Sequence, residues 1–294
     1  MEKYKEIERG LITTYRKNIW SKFVKAVMDF KMIEDGDKIA VCISGGKDSM
    51  LMAKCFQEIK RHRKMDFDLK FIVMDPGYNE LNRNKIMENA KLLNIPIEIF
   101  ETPIFNSVVR IENNPCYICA RMRRGYLYEK AKKLGCNKIA LGHHFDDVIE
   151  TILMGMFYGG QLQTMMPKIL STSHPGMELI RPMYYVKEEA ILKWRDKYNL
   201  DFIKCACKFT EEYEANGNVD GTSKREEMKS LIKQLKNNYD NIDMNIFSSV
   251  QNVNLSTIIS YQKGNDLYHF LDDYDERKKK IIEKSKSQDD NNDN

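Results

Sequence analysis

A short buried strand that runs into a glycine-rich turn constrains the fold of this chain most strongly. Residues 37–49 read DKIAVCISGGKDS, and the β-branched run at 38–43 is too short to be an independent helix. The small residues that follow it are Ser44, Gly45 and Gly46. Because they carry no large side chain, several backbone N–H groups can converge there on one anion. Ser49 then opens an apolar helix whose positive end favours an anion, so the segment predicts a phosphate-binding loop.

The two residues between that turn and Ser49 strengthen the prediction. A Gly-Gly turn between a strand and a helix also occurs in α/β proteins that bind nothing there. Here Lys47 can neutralise phosphate and Asp48 can hold a metal ion. The spacing differs from the P-loop of GTPases, in which four residues separate the glycines. SGGKDS at residues 44–49 resembles instead the PP-loop of the ATP pyrophosphatases, which cleave ATP between its α and β phosphates.

Composition sets the broad class of the protein. With 294 residues and 42% hydrophobic content, the chain can form a sizeable core. It has no apolar run of membrane-spanning length, and its charged N-terminus is unlike a signal peptide, so we expect a cytoplasmic protein without a membrane partner. A net charge of +4 permits a nucleic-acid partner without arguing for one.

Short strands alternate with amphipathic helices along most of the chain. The predicted strands are residues 38–43, 69–74, 97–100 and 138–141. This alternation predicts an α/β fold with a parallel twisted sheet and helices on both of its faces. Residues 1–35 form a predicted N-terminal helical segment, which either packs on the domain or presents its basic face to RNA. We expect the main domain over 36–265 and a charged, largely disordered tail over 266–294.

Two pairs of cysteines suggest a metal centre. Cys116 and Cys119 form a CxxC at a predicted helix start, where the positive end of the helix favours the thiolates that bind metal. A redox dithiol or a chance pair is the alternative. The second pair is Cys205 and Cys207. Separated thiol pairs in a reducing compartment are explained most simply by convergence on one metal centre.

A histidine- and aspartate-rich turn follows the fourth predicted strand. Asp146 and Asp147 come at a helix start, where carboxylates can cap free N–H groups. Because they also fall at the carboxyl end of a strand, we expect a metal or catalytic role for at least one of them. The adjacent His143 and His144 do not have the spacing of a zinc site.

Two further features lie downstream. Residues 158–176 are rich in Gly, Ser, Thr and Pro and predict a long surface loop of the kind that often acts as a lid. Arg181 either reaches phosphate or pairs with a surface acid, and the sequence does not separate these alternatives.

Five motifs in order carry a resemblance to a known family. They are SGGKDS at 44–49, CYIC at 116–119, LGHHFDD at 141–147, Arg-Pro at 181–182 and KCAC at 204–207. Together they resemble the tRNA 2-thiocytidine synthetase (TtcA-type) family of PP-loop ATP pyrophosphatases, over roughly residues 10–265. The resemblance implies an adenine nucleotide alpha hydrolase-like fold. It also implies an enzyme that uses ATP to adenylate a cytidine in the tRNA anticodon loop, replaces the 2-oxygen with sulfur, and releases AMP and pyrophosphate.

The resemblance also implies roles for particular residues. The catalytic candidates are Lys47, which opposes phosphate charge, and Asp48 and Asp147, one of which holds Mg²⁺. The nucleotide-binding candidates are Ser44, Gly45, Gly46, Lys47, Asp48, Ser49, Gly142 and Asp147. The partners implied are tRNA, a sulfur donor that is either a cysteine desulfurase or free sulfide, and a second copy of the chain in a homodimer.

The cysteines would hold a [4Fe–4S] cluster through three thiolates, which leaves one iron open to carry sulfide. The candidates are Cys116, Cys119, Cys205 and Cys207. The family usually has a CxxC-like second pair, whereas this chain has CxC. If both of these cysteines bound, no iron would stay open, so we expect one ligand and one bystander, in an order that the sequence leaves undecided.

Three alternatives compete with this interpretation. The related 2-thiouridine synthetases carry cysteine-rich zinc modules at both ends, but the first 41 and last 87 residues here contain no cysteine. Lysidine synthetases and amide-forming PP-loop ligases would leave the two cysteine pairs unexplained. An RNA-binding iron-sulfur sensor would not need Lys47 and Asp48.

Overall fold

The computed structural model describes residues 2–63, 65–105, 115–203 and 223–289, without the side chains of 115–117 and 285–289. These residues form two compact units, 1–243 and 244–294, each of which is described by itself. Within the described ranges, no helix combines the length and apolar composition needed to cross a bilayer.

A six-stranded sheet organises the first unit. Its strands are β1 Lys38–Ile43, β2 Asp68–Asp75, β3 Ile97–Glu101, β4 Lys138–Ala140, β5 Lys168–Leu170 and β6 Glu178–Ile180. Their order is β3-β2-β1-β4-β6-β5, and only the β5–β6 pair is antiparallel. The predicted α/β fold with a mainly parallel sheet is therefore confirmed, with the strand that precedes the glycine loop near the centre.

Helices cover both faces of this sheet. They are α1 Lys3–Ile12, a π-helix Arg16–Trp20, α2 Ser21–Asp29, α3 Lys47–Arg61, α4 Glu80–Leu92, α5 Pro115–Lys133, α6 Phe145–Gly159, α7 Glu188–Lys197 and α8 Lys224–Lys236. A separate helix, α9 Ile242–Ser249, crosses the boundary between the two units along the chain. On β1, Ala40 and Cys42 pack in one core with Leu127 and Ala131 of α5. Alternate residues of a strand face opposite sides, so the remaining apolar residues of β1 face the side on which α3 packs.

The N-terminal segment is helical, as its apolar spacing predicts, but it is not one continuous helix. Ile7 and Leu11 on α1, and Phe23 on α2, have no exposed surface. Lys54 on α3 is also fully buried, and its Nζ lies 2.6 Å from Oε1 of Glu8. This buried ion pair fixes α1 to the helix that starts at the glycine loop.

The prediction of an irregular surface loop over 158–176 is wrong in one part. Residues 168–170 form β5, the outer antiparallel strand of the sheet. A three-residue strand with two exposed residues is too short to show an alternating pattern, which explains why the sequence gives no sign of it.

The second unit contains a two-stranded hairpin and a helix. The strands are β7 Ser260–Lys263 and β8 Asp266–His269, and α10 Tyr274–Asp289 follows them. Gly264 has a φ of +65°, a backbone conformation that favours glycine in the tight connection between the strands. Tyr261 and Tyr268 stack across the hairpin with ring centroids 4.9 Å apart. The predicted domain boundaries at 35 and 265 stay predictions.

Candidate functional site

Two loops meet at the carboxyl ends of the central strands. β1 ends at Ile43 and leads into the glycine loop and α3, while β4 ends at Ala140 and leads through 141–144 into α6. The two strands are parallel neighbours, with Val41 paired to Ala140. Both loops therefore lie at the edge of the sheet where parallel α/β folds bind their ligands.

Gly45 is required by conformation and by space. Its φ is +87°, which side chains other than glycine rarely adopt. A Cβ added there would lie 2.6 Å from Cγ1 of Ile86 and 2.7 Å from Cδ1 of Ile203. The glycine loop is thus packed between α4 and Ile203, the last described residue before the second pair of cysteines.

Ser44 and Ser49 connect the loop to the first turn of α3. The hydroxyl of Ser49 accepts hydrogen bonds from the backbone N–H and the hydroxyl of Ser44, each at 3.2 Å. It also donates to the carbonyl of Gly46 at 3.0 Å. The serines hold the shape of the loop, and their contact with phosphate stays a prediction.

Gly142 lets the β4 loop approach the glycine loop. A Cβ at this position would lie 3.1 Å from the backbone N and 3.2 Å from the Cα of Ser49. These are backbone atoms of a buried helical turn, so they cannot move aside easily. The structure therefore places Gly142 beside the predicted nucleotide site, in contact with its first helical turn.

The ammonium group of Lys47 lies between two carboxylates. Its Nζ is 3.2 Å from Oδ2 of Asp48 and 3.1 Å from Oε1 of Glu188, the first residue of α7. Glu188 in turn lies 2.6 Å from Nζ of Lys229 on α8. Burial favours the protonated form of Glu188, but the hydrogen bond from Lys229 and the charge of Lys47 outweigh it and lower its pKa to about 2.

His144 lies between the two predicted metal-binding carboxylates. Its Nε2 is 3.9 Å from Oδ1 of Asp48, and its Nδ1 is 3.5 Å from Oδ2 of Asp147. Asp147 accepts the N–H of His144 at 2.9 Å, which is the capping role that the sequence left as an alternative. Its other oxygen lies 3.1 Å from Arg225 on α8. Among the described residues, Oδ1 of Asp48 has no hydrogen-bond partner.

Asp146, the other candidate of this pair, has a structural role. Its Oδ2 accepts the backbone N–H of Glu188 at 2.7 Å and so caps the start of α7. This hydrogen bond connects the β4 loop to the residue that pairs with Lys47.

His143 follows β4 and is partly buried, and Arg181 follows β6 and is buried. Burial, assisted by the charge of Arg181, lowers the pKa of His143 to about 4, so the imidazole is neutral at pH 7. Arg181 is only 7% exposed and donates to the carbonyl of Met166. Since Arg181 is buried and forms no ion pair with an acid in the described part of the chain, pairing with a surface acid, one of the two predicted alternatives, is wrong for those residues. Burial lowers the pKa of Arg181 to about 10.

The first cysteine pair lies at the start of α5, as the sequence predicts. Because α5 follows β3 and leads into the parallel strand β4, its N-terminus lies at the carboxyl edge of the sheet, where the glycine loop is. Cys119 is unpaired and partly buried against the core beneath α5. The side chain of Cys116 and all of Cys205 and Cys207 lie outside the described residues.

A series of contacts joins this helix to the glycine loop. The guanidinium of Arg123, one turn after Cys119, lies 5.6 Å from the ring centre of Phe105. That ring is 6.3 Å from the ring of Tyr78, whose hydroxyl donates to the carbonyl of Ser44 at 3.4 Å. In the part of the chain that the structure describes, no three His, Cys, Asp or Glu side chains form a metal site, so the predicted ligand set stays a prediction.

Sequence reasoning missed three charged residues of the site. They are Glu188, Arg225 and Lys229. Each lies on a helix surface far along the chain from Lys47, where charged residues are ordinary, so no local spacing pointed to them.

Comparison with known proteins agrees with this geometry. Residues 15–217 match the PP-loop domain family, which defines the class of the protein. A relative from Pelobacter propionicus is 35% identical over 242 residues, covering 81% of this chain and 86% of its own. A relative from Paraburkholderia xenovorans is 36% identical over 247 residues, covering 81% and 69%.

Both relatives are named tRNA-cytidine(32) 2-sulfurtransferase. The chain therefore belongs to the tRNA-cytidine(32) 2-sulfurtransferase family, whose members are sulfurtransferase enzymes. This confirms the resemblance that the five motifs predict.

A solved structure shows the same fold. The U34-tRNA thiolase NcsA from Methanococcus maripaludis, determined with its [4Fe–4S] cluster, aligns with a TM-score of 0.59 over 79% of this chain and 76% of its own. At 20% sequence identity, the likeness extends to the fold alone.

Proposed function

We propose that this enzyme uses ATP to activate the C2 carbonyl of a cytidine in tRNA and then replaces the carbonyl oxygen with sulfur. Membership of the 2-sulfurtransferase family supports the reaction class, and the name of the relatives points to cytidine 32. The structural observation that carries the proposal is the position of Lys47 directly after the glycine loop, beside a carboxylate whose Oδ1 has no hydrogen-bond partner among the described residues.

The residues at this edge fit a nucleotide and its metal ion. Gly45 and Gly142 leave the loop without side chains where a Cβ would collide with its surroundings. Oδ1 of Asp48, which has no hydrogen-bond partner in the described ranges, suits a hard cation such as Mg²⁺, which prefers carboxylate oxygens. One of Asp48 and Asp147 would hold Mg²⁺, whose chemistry is to neutralise charge on the phosphates. Asp48 fits this role better, because the two oxygens of Asp147 already contact the N–H of His144 and the guanidinium of Arg225.

The activation step follows from the poor leaving ability of a carbonyl oxygen. The C2 oxygen of cytidine attacks the α-phosphorus of ATP, and the bond from that phosphorus to the bridging oxygen of pyrophosphate breaks. Lys47 and the loop N–H groups oppose the negative charge that develops on the phosphates. Sulfur then attacks C2, the C2–O bond breaks, and AMP leaves with the former carbonyl oxygen.

We further propose that Cys116, Cys119 and one of Cys205 and Cys207 hold a [4Fe–4S] cluster. The start of α5 at the carboxyl edge of the sheet supports this, as does the contact of Ile203 with the glycine loop. Cys119 fits a ligand role because it is unpaired and only partly buried. Three thiolate ligands leave one iron open, and the chemistry that such a cluster supplies is delivery of sulfide.

The remaining expectations belong to the same proposal. They are tRNA as partner, a cysteine desulfurase or free sulfide as sulfur donor, a homodimer and a cytoplasmic location. The division into residues 1–35, 36–265 and 266–294 also stays a proposal, beside the match of 15–217 to the PP-loop domain.

Anaerobic purification tests the cluster directly. The visible spectrum should show iron-sulfur absorption, with about four iron and four sulfide per chain. Cys116→Ala and Cys119→Ala should lose it, and only one of Cys205→Ala and Cys207→Ala should do so. A colourless native protein would remove the cluster from the proposal.

The nucleotide assignment is tested by Lys47→Ala. This variant should keep the cluster but lose tRNA-dependent AMP release, because the loop N–H groups that remain carry only partial positive charge. Unaltered turnover would show that the loop assignment is wrong. The substrate is tested separately in total tRNA from a strain without the gene, in which undiminished 2-thiocytidine would exclude cytidine as the target.

A further inference from the structure

A series of ion pairs runs from the glycine loop to a helix outside the matched domain. Nζ of Lys47 lies 3.1 Å from one oxygen of Glu188, and Nζ of Lys229 lies 2.6 Å from the other. The Glu188 side chain is 17% exposed and that of Lys229 is 57% exposed. One carboxylate is therefore shared between the loop lysine and a surface lysine of α8.

A hydrogen bond fixes the backbone of Glu188. This glutamate is the first residue of α7, and its backbone N–H donates to Asp146 at 2.7 Å. The carboxylate is ionised. Burial raises its pKa, but the hydrogen bond from Lys229 and the charge of Lys47 have the larger effect and lower the pKa to about 2. A fixed, charged and largely buried carboxylate beside a flexible lysine restricts where the ammonium group can lie.

The outer end of the series lies beyond residues 15–217, which match the PP-loop domain. On α8, Arg225 and Lys229 are four residues apart and so lie on one helical face. Arg225 contacts Asp147 and Glu150 of α6 at 3.1 Å and 2.9 Å, while Lys229 reaches α7. This face of α8 therefore adds two cations to the rim of the nucleotide site.

We propose that Glu188 is a positioning residue for Lys47, and that Lys229 sets how strongly Glu188 retains it. This inference rests on the proposed function, in which Lys47 binds phosphate. Glu188 orients the ammonium for the transition state, but it also competes with ATP for the same positive charge. The positive charge of Lys229 offsets part of the negative charge of Glu188, so Glu188 competes less strongly with ATP for Lys47. The carboxylate that Lys47 and Lys229 share therefore affects both the orientation of Lys47 and the affinity of the enzyme for ATP.

The proposal predicts opposite effects on the dissociation constant for ATP. Glu188→Gln removes the competing charge, so ATP should bind about three-fold more tightly, while kcat for AMP release should fall about ten-fold because Lys47 is no longer oriented. Lys229→Met should weaken ATP binding about three-fold, with kcat within about two-fold of the wild type, since exposed ion pairs have modest effects. A structural defect would not separate the two parameters in this way.

The double variant tests whether Lys229 acts through Glu188. In a Glu188→Gln background, Lys229→Met should have no further effect on ATP binding. Lys229→Arg keeps the cation and should bind ATP as the wild type does. Calorimetric titration of the full chain with ATP gives the affinities, and single-turnover AMP release gives the rates.

The chain offers a matched control for each change. Glu189 is the next residue of α7, is exposed and pairs with Lys193 rather than Lys47. Lys233 lies one turn beyond Lys229 on α8 and is exposed. Glu189→Gln and Lys233→Met should leave ATP binding and AMP release unchanged.

Three results would overturn the inference. They are a Glu188→Gln variant that behaves as Glu189→Gln does, unchanged ATP binding in Lys229→Met, and an equal effect of Lys229→Met with and without the Glu188 change. If Glu188→Gln does not fold, the affinity of Lys229→Met for ATP still tests the inference, because Lys229 is exposed and its substitution should not disturb folding. Normal AMP release by Lys47→Ala would instead refute the proposed function. If Lys47→Ala loses AMP release but Glu188→Gln behaves as the wild type does, only the inference about Glu188 is refuted.

Discussion

The sheet has a group of buried charges at each edge, and the two groups differ in how their atoms are paired. At the amino edge, Lys138 is only 2% exposed, and its Nζ lies 2.7 Å from Asp37 and 3.3 Å from Glu178. Asp37 also accepts hydrogen bonds from the side chain of Asn137 and the backbone of Glu34, both at 2.7 Å. We call Lys138, Asp37 and Glu178 the Lys138 group.

At the carboxyl edge, several buried polar atoms have no partner within the described residues. They are Oδ1 of Asp48, Nδ1 of His143 and Nε of Arg181. A buried polar atom without a hydrogen bond costs free energy, so a folded protein keeps few of them. The comparison teaches that the amino edge pairs its charged atoms with one another, whereas the carboxyl edge has unpartnered atoms, within the described residues, where we propose that the nucleotide binds.

The largest effect is expected at the Lys138 group. Lys138→Met removes the buried cation between Asp37, which is buried, and Glu178, which is partly buried, so the free energy of unfolding should fall by about 3–5 kcal/mol. AMP release by the folded protein should stay near wild type, because the group lies at the opposite edge from Lys47. Urea unfolding measures the loss.

The control is an exposed ion pair at the same edge. Nζ of Lys60 lies 2.8 Å from Asp68, with both side chains more than 40% exposed, at 43% and 66%. Lys60→Met should cost less than about 1 kcal/mol. Equal losses in the two variants would contradict the structural role of the Lys138 group.

Asp48→Asn should lower the rate of AMP release and leave the free energy of unfolding nearly unchanged, the reverse of Lys138→Met. Oδ1 of Asp48 has no partner among the described residues and its Oδ2 forms a partly exposed ion pair with Lys47, so loss of charge should change the free energy of unfolding by less than about 1 kcal/mol. AMP release should fall about 100-fold, or about 2.7 kcal/mol in transition-state stabilisation, if this carboxylate holds the metal ion. Asp196→Asn, at an exposed pair with Arg195, is the control. A destabilised Asp48→Asn protein with normal AMP release would show that Asp48 stabilises the fold, as the Lys138 group does, and does not act in the reaction.

Gly142→Ala tests the close approach of the two loops at the carboxyl edge. The new Cβ would lie 3.1–3.3 Å from backbone atoms of Asp48 and Ser49, so we expect a loss of about 1–2 kcal/mol in unfolding free energy and a slower release of AMP. Gly125 on α5 has open space around its added Cβ, so Gly125→Ala should stabilise the helix slightly. Thermal unfolding of both variants makes the comparison, and an unaffected Gly142→Ala protein would argue against tight packing of these loops.

The smallest effect is a pH dependence at the carboxyl edge. Because the pKa of His143 is about 4 in the folded protein and ordinarily near 6.5, the unfolded chain binds more protons between these values. Stability from the neutral imidazole is therefore complete above pH 6.5 and declines as the pH falls towards 4. Between pH 7 and about 5.5 the wild type should lose about 1 kcal/mol more than His143→Gln in urea unfolding. Identical pH profiles would show that His143 is not held neutral by burial.

How well the sequence predicted each part of the molecule depends on how local its determinants are. β1, the glycine loop and the start of α3 were predicted because a β-branched run, paired glycines and a helix start are adjacent in the chain. β5 and β6 were missed because three-residue strands carry little periodicity and neither is fully buried, whereas the equally short β4 is buried throughout and leads into a recognisable helix start. Glu188 was missed because its contact with Lys47 depends on tertiary packing between α3 and α7. The family, in contrast, was predicted from five short motifs in order, since their joint spacing is far more specific than any one of them.

The central claim is that the glycine loop and the cysteine-bearing start of α5 serve one reaction at one edge of the sheet. The most direct measurement is mass spectrometry of tRNA after reaction with anaerobically purified enzyme, with pyrophosphate release recorded in parallel. We predict that Cys119→Ala releases pyrophosphate in a single turnover but makes no 2-thiocytidine, while Lys47→Ala does neither. Formation of 2-thiocytidine by either variant at the wild-type rate would contradict the account.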